Sequence, residues 1–289
     1  MAVDHYENFP VASILLPRRL RRAVEIIYRF ARQADDFADE GNFTDGDRLA
    51  KLDGFRAELN RIACNETPLT PLFADVAAIV TQHQLPLQLF YDLLDAFTQD
   101  VTKKRYANFD EVLDYCRLSA NPVGRLLLHL YQEPSAQNLI YSDAICTSLQ
   151  LINFWQDVKK DYAIGRIYVP QDDMERFGVT EQYIAAECAD GSWRALMQYQ
   201  VQRARDLMNY GKPLGTILTG RIGLEMRLII AGGNRILDKL QNVRYDMFRC
   251  RPVLRPFDWV IMLAVGARFI VPSFNSAGES GRDKSRPYK

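Results

Sequence analysis

Apolar side chains recur along most of this chain at the three- to four-residue spacing of an amphipathic α-helix, and the alternation typical of a β-strand is scarce. The first strong helical pattern runs from Arg18 to Asp39, and Gly41 with Asn42 suits the end of that helix. Further helices are predicted near residues 46–64, 70–81, 85–100, 108–117, 122–131, 136–162, 180–187, 191–210, 214–218, 221–241 and 256–270. The chain is therefore predicted to be all-α.

The chain carries no internal repeat and no linker rich in Pro, Gly and Ser that would divide it. We therefore expect one helical domain over residues 1–275. Residues 276–289 are polar and hold few apolar anchors, so a disordered tail is predicted there. The apolar stretch 259–267 is shorter than the roughly 20 residues that span a bilayer as a helix. It is interpreted as a core helix, and no transmembrane helix is expected.

An acidic stripe lies at the end of the first predicted helix. Tyr28, Arg32, Asp35 and Asp39 are four, three and four positions apart, so they share one helical face, and Asp36 lies beside them. Two carboxylates one turn apart can bind Mg²⁺, which keeps several waters and bridges to phosphate oxygens. The preceding arginine could donate to a phosphate. A solvated acidic helix end is the alternative, and this segment alone does not decide between them.

A second stripe lies on the helix predicted over 136–162. Gln150, Asn153, Asp157 and Asp161 are three, four and four positions apart and again share one face. The other faces of this helix are apolar, with Ile145, Leu149, Leu151, Ile152, Phe154, Trp155 and Val158. A helix that is apolar almost all round is normally buried, so its polar stripe must meet partners, water or ions. This favours a metal-diphosphate cavity over a solvated surface.

Arg166 follows the second stripe closely and could add positive charge to the same cavity, although a surface arginine is the alternative. Two acidic helices with arginines nearby would form an electrostatic clamp for a leaving diphosphate. Mg²⁺ would neutralise the charge that develops as the C–O bond breaks, leaving an allylic or cyclopropylcarbinyl cation. The rest of such a cavity should be apolar and aromatic, to hold prenyl chains and keep stray water out.

Composition narrows the functional classes. Lys+Arg and Asp+Glu number 36 each, so the formal net charge is zero and a nucleic-acid partner is not expected. The five cysteines are widely spaced and form no CxxC, so neither a zinc site nor a disulfide framework is indicated. The N-terminus lacks the basic and apolar regions of a signal peptide. A cytoplasmic protein fits these features best.

Several segments together resemble one known family, the squalene and phytoene synthases, which join prenyl diphosphates head to head. The resemblance extends from His5 to about Arg255, and the two DxxxD motifs occur in the order and context that the family has. The segments that carry it are HYENFPVAS at 5–13 with LLP at 15–17, then residues 28–39, 115–124 and 150–168.

The resemblance implies an isoprenoid synthase fold, a helical bundle around a central cavity, with Mg²⁺ as cofactor and two or three ions beside the substrate diphosphate. The metal ligands it implies are Asp35, Asp36, Asp39, Asn153, Asp157 and Asp161. The residues it implies to contact substrate or diphosphate are Arg32, Arg166, Gln150, Asn153, His5 and Phe9, the last two by closing the cavity. Those it implies to line the reacting centre are Tyr28, Tyr115 and Tyr168.

Within the family, residues 5–13, 119–125 and 245–252 are most similar to the bacterial hydroxysqualene synthases of the hopanoid pathway. This similarity implies a lyase in which presqualene diphosphate ionises, its cyclopropane rearranges and water captures the cation. No NADPH is expected, and no GxGxxG motif follows a predicted strand. Asn121 and Pro122 stand where many relatives have Ala-Gly, which alters the cavity wall and leaves the product open.

Two location hypotheses accompany this interpretation. Contact with the inner face of a membrane is suggested by a water-insoluble product and by the apolar segment 259–270. Whether a presqualene diphosphate synthase delivers the substrate directly is left open by the sequence. The transmembrane anchor of eukaryotic squalene synthases is not found.

Three alternatives stay open. The first is a synthase that condenses two farnesyl or two geranylgeranyl diphosphates to presqualene diphosphate, squalene or phytoene with the same metal clamp. The second is a non-catalytic helical protein that binds lipid or assists assembly, although such a protein should lose its aspartates and this chain keeps all four. The third is a head-to-tail prenyltransferase or terpene cyclase, against which the segment QDVKKD argues.

Overall fold

A computed structural model describes residues 16–255 and Asp258. Across these residues the chain forms twelve α-helices and no β-strand, which confirms the predicted all-α class. The helices are α1 (Arg18–Asp39), α2 (Asp45–Ala63), α3 (Pro71–His83), α4 (Gln88–Thr102), α5 (Phe109–Ser119), α6 (Asn121–Leu130), α7 (Ala136–Ala163), α8 (Gln171–Arg176), α9 (Glu181–Ala185), α10 (Gly191–Gly211), α11 (Leu214–Ile217) and α12 (Gly220–Asn242).

The predicted helical segments between residues 18 and 241 all correspond to observed helices, and α1 matches at both ends. One observed helix, α8, was not predicted. It has six residues, mostly polar, and is too short to show a helical period. The predicted helix over 256–270, the predicted tail over 276–289 and the N-terminal segment with His5 and Phe9 lie outside the described residues.

Side-chain caps explain where several helices begin. Thr44 and Asp47 form a reciprocal capping box at the start of α2. The side chains of Asn108, Ser135 and Asp190 each accept a hydrogen bond from a backbone N–H in the first turn of α5, α7 and α10, respectively. These caps satisfy N–H groups that lack a partner within the helix, and they therefore fix the helix boundaries.

The buried apolar side chains form two clusters. The first is contributed by α1 to α4 and α6, and at its centre the ring of Phe30 meets those of Phe55, Phe73 and Phe90 at 5.1–5.8 Å. The second surrounds α7 and includes residues of α5, α8, α9, α10, α11 and α12. The first acidic stripe therefore belongs to a helix of one cluster, and the second stripe belongs to the central helix of the other.

The long helix α7 is held most extensively by α10. The two helices are in tight contact at Gly211, where an added β-carbon would lie 2.6 Å from the backbone oxygen of Tyr141 and 2.5 Å from Cγ1 of Ile145. Backbone atoms of a packed helix cannot move aside cheaply, so this crossing requires glycine. Separately, none of the helices from α1 to α12 is long and apolar enough to cross a bilayer.

The crossing generates a stability prediction. Gly211→Ala should lower the free energy of unfolding by about 2 kcal/mol, because the new methyl group overpacks the contact between α7 and α10. Gly54→Ala is the matched control, since Gly54 is an exposed glycine within α2 and nothing lies within 4 Å of its added β-carbon. The control should raise the free energy of unfolding by roughly 0.5–1 kcal/mol through helix propensity. Urea denaturation followed by circular dichroism measures both, and equal effects of the two substitutions would contradict the prediction.

Candidate active site

Arg166 connects the two acidic helices. It follows α7, where its backbone N–H donates to the carbonyl of Asp161 at 2.8 Å. Its guanidinium reaches α1 and forms a two-point ion pair with Asp39, with Nη1 3.0 Å from Oδ2 and Nη2 bonded to Oδ1. Arg166 is only 7% exposed. The sequence left a surface arginine open as its alternative role, and that alternative is wrong.

Backbone pairing fixes the position of this arginine. Ile167 forms an isolated parallel bridge with Arg105, and its N–H donates to the carbonyl of Lys104 at 3.0 Å. The segment after α7 is thereby held against the segment after α4. Arg166 and Tyr168, on either side of the bridged residue, consequently lie next to the C-terminal end of α4.

Asp35 and Asp161 carry carboxylates with strongly raised pKa values. Burial and the nearby Asp39 raise the pKa of Asp35 to about 7, although Arg32 opposes the shift. Burial and the like charge of Asp157 raise the pKa of Asp161 to about 8, against the opposing charge of Arg166. Negative charge is therefore crowded between the two helices, and a bound cation would relieve it.

Asp157 has a different environment. Its carboxylate pairs at two points with Arg251, whose Nε lies 2.6 Å from Oδ1 and whose Nη2 lies 2.7 Å from Oδ2. Lys160 adds a third contact at 3.2 Å. Burial would raise the pKa of Asp157, but these cations outweigh burial and hold the pKa below its ordinary value. Of the two aspartates in the second acidic stripe, Asp157 is therefore the one that is ionised more readily.

Arg32 gathers the acidic groups at the end of α1. Its guanidinium lies 3.3 Å from Asp35, 2.8 Å from Asp36 and 2.7 Å from Glu40. Tyr28, one turn earlier on the same helix, is half-buried and close enough to help raise the pKa of Arg32. The first predicted stripe is therefore an assembled group of contacting side chains rather than a set of separate solvated charges.

A buried carboxylate that the sequence did not single out joins two of the predicted tyrosines. Asp100, near the end of α4, accepts hydrogen bonds from the hydroxyl of Tyr115 at 2.7 Å and from the hydroxyl of Tyr168 at 3.2 Å. Its backbone carbonyl also accepts from Nη2 of Arg166 at 3.0 Å. Asp100 is 5% exposed, and burial is the main cause that raises its pKa to about 6.

An aromatic cluster adjoins this carboxylate. The rings of Tyr168 and Phe154 stack nearly parallel with centroids 3.7 Å apart, and Tyr115 lies 5.7 Å from Tyr168. Tyr106 contacts both tyrosines, at 5.5 and 5.7 Å. Phe154 follows Asn153 on α7, so the aromatic cluster lies beside the second acidic stripe.

Asn153 and Gln150, the other two predicted site residues on α7, lie beside a small cavity or near it. Asn153 is half-buried and lines a small cavity between α7 and α12, together with Leu149, Ile152, Gly232, Gly233, Ile236 and Leu254. Gln150 is half-buried one turn before Asn153 on the same helix. The cavity is small and is lined by apolar groups around one amide, so the surroundings of Asn153 on this side are largely apolar.

Two residues of the site were missed by sequence reasoning, Asp100 and Arg251. Asp100 did carry a signal, because it follows Leu93 and Phe97 on the buried face of α4, and a carboxylate on an apolar face needs a partner. Arg251 lies in the segment 245–252 that carries part of the family resemblance, but no spacing pattern links it to Asp157. It is 94 residues from Asp157 in sequence, and only the tertiary fold shows that they pair.

Mg²⁺ fits this donor set only with further ligands. Among residues 16–255 and Asp258, no three His, Cys, Asp or Glu side chains are arranged to hold an ion by themselves. The acidic pairs instead contact Arg32, Arg166 and Arg251. Mg²⁺ commonly binds through one or two carboxylates, waters and substrate phosphates, so crowded carboxylates without a closed cage suit it.

Comparison with known proteins agrees with this geometry. A family model described as squalene/phytoene synthase matches residues 2–258. The hydroxysqualene synthase of Rhodopseudomonas palustris is 37% identical over 258 residues, covering 88% of this chain and 86% of that protein. That of Sinorhizobium fredii is 34% identical and covers 92% and 89%. The crystal structure of a squalene synthase, HpnC, from Alicyclobacillus acidocaldarius has a TM-score of 0.77 at 37% identity and covers 83% and 90%.

The raised pKa values predict how stability depends on pH. Without metal, Asp35 and Asp161 hold a proton in the folded state up to pH about 7 and 8, whereas ordinary aspartates lose it near pH 3.8. The folded state therefore binds more protons than the unfolded state between these values. The contribution of these two groups to the free energy of unfolding falls as pH rises from about 4 to about 8.

Denaturation at a series of pH values in EDTA, compared with the Asp35→Asn/Asp161→Asn variant, measures this contribution. The difference in unfolding free energy between variant and wild type should grow in favour of the variant toward pH 8. Mg²⁺ should reduce the loss in the wild type. Parallel pH curves for the two proteins in EDTA would contradict the prediction.

Proposed function

We propose that this chain, which belongs to the squalene/phytoene synthase family, is a hydroxysqualene synthase. The reaction converts presqualene diphosphate and water to hydroxysqualene and diphosphate. The observation that carries the ionisation step is the pair of acidic helices joined by Arg166, because this arrangement concentrates cation-binding groups around one point. The observation that carries the branch of the family is the similarity to proteins named hydroxysqualene synthase over more than four-fifths of both chains.

The leaving diphosphate would be bound by arginine and metal together. Arg32, Arg166 and Arg251 each pair with an aspartate of the clamp and can exchange part of that pairing for phosphate oxygens. Asp35, Asp36, Asp39, Asn153, Asp157 and Asp161 would hold the Mg²⁺ ions. When bound, Mg²⁺ supplies a Lewis acid that stabilises the charge developing on the leaving diphosphate.

The cation left behind needs an environment that stabilises it without reacting with it. The stacked rings of Phe154 and Tyr168 offer π faces next to the clamp, and such faces attract cations. The apolar residues that line the small cavity between α7 and α12 add apolar surface beside Asn153, which helps to keep bulk water away. Water is the final nucleophile, so the balanced reaction uses no reductant and NADPH is not required.

We propose in addition that the chain contacts a membrane surface and receives its substrate directly from a presqualene diphosphate synthase. Contact with a membrane surface rests on the apolar sequence of residues 259–270, which lie outside the described part of the chain. A flotation assay with liposomes tests it. Direct transfer of substrate from a presqualene diphosphate synthase is compatible with the proposed reaction and awaits a binding measurement.

One alternative has a specific observation in its favour. The structural relative from Alicyclobacillus acidocaldarius is named a squalene synthase, and condensation of prenyl diphosphates would use the same clamp. The alternative predicts that farnesyl or geranylgeranyl diphosphate alone is consumed. The proposed function predicts that both are left largely untouched.

The product assay decides between them. Purified protein with Mg²⁺, presqualene diphosphate and ¹⁸O-labelled water, without NADPH, should form hydroxysqualene that carries the label, as read by mass spectrometry. EDTA should abolish the reaction. Turnover at the full rate without any divalent metal would contradict the mechanism. Consumption of farnesyl or geranylgeranyl diphosphate in parallel, with presqualene diphosphate unchanged, would support the condensing alternative.

Arg251 provides a test of the clamp itself. Arg251→Gln should lower kcat/KM by roughly 10²-fold, because it removes a charged donor at the diphosphate and leaves Asp157 without its two-point partner. Arg249→Gln is the matched control, since the Arg249 side chain is 81% exposed and its ion pair with Asp246 is long at 3.7 Å. The control should change kcat/KM by less than about twofold. Similar losses in both variants would show that general charge, rather than the pair with Asp157, matters.

A further inference from the structure

Asp100 is the most deeply buried carboxylate at the edge of the candidate site, and each of its polar atoms faces a named partner. One carboxylate oxygen accepts from the hydroxyl of Tyr115 and the other from that of Tyr168, while its carbonyl accepts from Arg166. Burying a carboxylate costs free energy, and an apolar residue would fill this place on α4 without that cost. The cost requires an explanation beyond packing.

We propose that Asp100 positions the hydroxyl protons of Tyr115 and Tyr168 and takes up, through one of them, the proton lost by the water that captures the cation. The inference rests on the proposed function and extends it to the water-capture step. Tyr115 and Tyr168 would be the groups that contact the reacting atoms. Asp100 would be a positioning residue that acts through them.

The direction of the hydrogen bonds carries the argument. A tyrosine hydroxyl has one proton and two acceptor lone pairs. Because the protons of Tyr115 and Tyr168 point to Asp100, both phenol oxygens are left as acceptors on their other side. An acceptor can orient a water molecule and receive its proton, whereas a hydroxyl that turned its own proton toward the cavity could not do so.

The location fits the same step. Tyr168 stacks on Phe154, which is next to Asn153 on the second acidic helix. Arg166 contacts both Asp39 of the clamp and the carbonyl of Asp100. Asp100 is therefore connected to the diphosphate clamp through a single arginine, and the two tyrosine hydroxyls are connected to it through Asp100.

The water-capture step conserves atoms and charge. A lone pair of the water oxygen forms the C–O bond to the cation. One O–H bond of that water then breaks, and its proton passes to the phenol oxygen of Tyr115 or Tyr168. The proton already on that phenol passes to the Asp100 carboxylate. The tyrosine ends neutral, Asp100 ends protonated, and its proton returns to solvent after the product leaves. The pKa of Asp100 near 6 suits a group that is ionised beforehand and protonated afterwards.

Tyr106 supplies the matched control. It packs against both Tyr115 and Tyr168 and is 1% exposed, yet its hydroxyl has no hydrogen-bond partner in the described part of the chain. Tyr106→Phe removes a hydroxyl from the same aromatic cluster without touching the Asp100 hydrogen bonds. It therefore separates an effect of these bonds from a general disturbance of the cluster.

The experiment measures two quantities in the purified full chain with Mg²⁺ and presqualene diphosphate. Diphosphate release reports ionisation, and hydroxysqualene determined by mass spectrometry reports water capture. In Asp100→Asn the amide nitrogen donates to one phenol oxygen and cannot accept its proton. We expect the yield of hydroxysqualene per diphosphate released to fall roughly tenfold, and its rate of formation to fall by the same factor, while the rate of diphosphate release changes by less than about twofold. Tyr106→Phe should retain the wild-type yield.

Each outcome decides the proposal. A wild-type yield in Asp100→Asn would overturn it while leaving the proposed function intact. If Asp100→Asn does not fold, the Tyr115→Phe/Tyr168→Phe double variant keeps Asp100 but removes both relay hydroxyls, and an unchanged yield there would overturn it equally. A wild-type protein that releases no diphosphate and forms no hydroxysqualene would overturn the proposed function and, with it, this role. A fall in yield without a parallel fall in diphosphate release would support the relay, since a merely structural role would lower both together.

Discussion

The two-point ion pair between Arg166 and Asp39 is the contact on which the candidate site depends. It joins α1, in one apolar cluster, to the segment after α7, in the other. The two clusters also meet where α6 packs on α7 and α4 packs on α5, and the ion pair adds a positive charge where carboxylates of the two acidic stripes lie close enough to affect one another's pKa. Because the same guanidinium also holds the carbonyl of Asp100, a single arginine sets the relative positions of the clamp and the tyrosines.

The arrangement shows how a protein can keep several carboxylates close together before any substrate binds. Arginines pair with part of the negative charge, while burial, and after it the neighbouring carboxylates, raise the pKa values of Asp35 and Asp161. Repulsion between these buried carboxylates favours the binding of a metal ion. A cation that enters the site gains more free energy there than at carboxylates that do not repel one another. Pre-organised charge of this kind costs stability in the empty protein, which is a frequent property of functional sites.

How much of this could be predicted from the sequence depended on the distance between the residues concerned. The stripes on α1 and α7 were predictable because helical period alone aligns residues three and four positions apart, as it does for Asp35 and Asp39. The long helices were predictable for the same reason, whereas the six-residue α8 was not. The pairs Arg166–Asp39 and Arg251–Asp157 bridge 127 and 94 residues, and no local pattern encodes such contacts. Asp100 was predictable in part. The sequence shows an aspartate on the apolar face of a helix, but it does not show that two tyrosines are its hydrogen-bond partners.

The charge balance of the site bears on why metal ions and substrate would have to bind together. When Asp35 and Asp161 are ionised, the five aspartates at the ends of α1 and α7 outnumber the three arginines and the one lysine paired with them, so the site is then net negative before a diphosphate arrives. An anionic substrate approaching alone would meet repulsion, and arginines already engaged by carboxylates could attract it only by abandoning them. Divalent cations held by the aspartates of α1 and α7 would offset this repulsion and would leave guanidinium groups available to phosphate oxygens. The described residues form no closed acidic cage, and Mg²⁺ that kept waters and phosphate oxygens as further ligands would suit such a set of carboxylates.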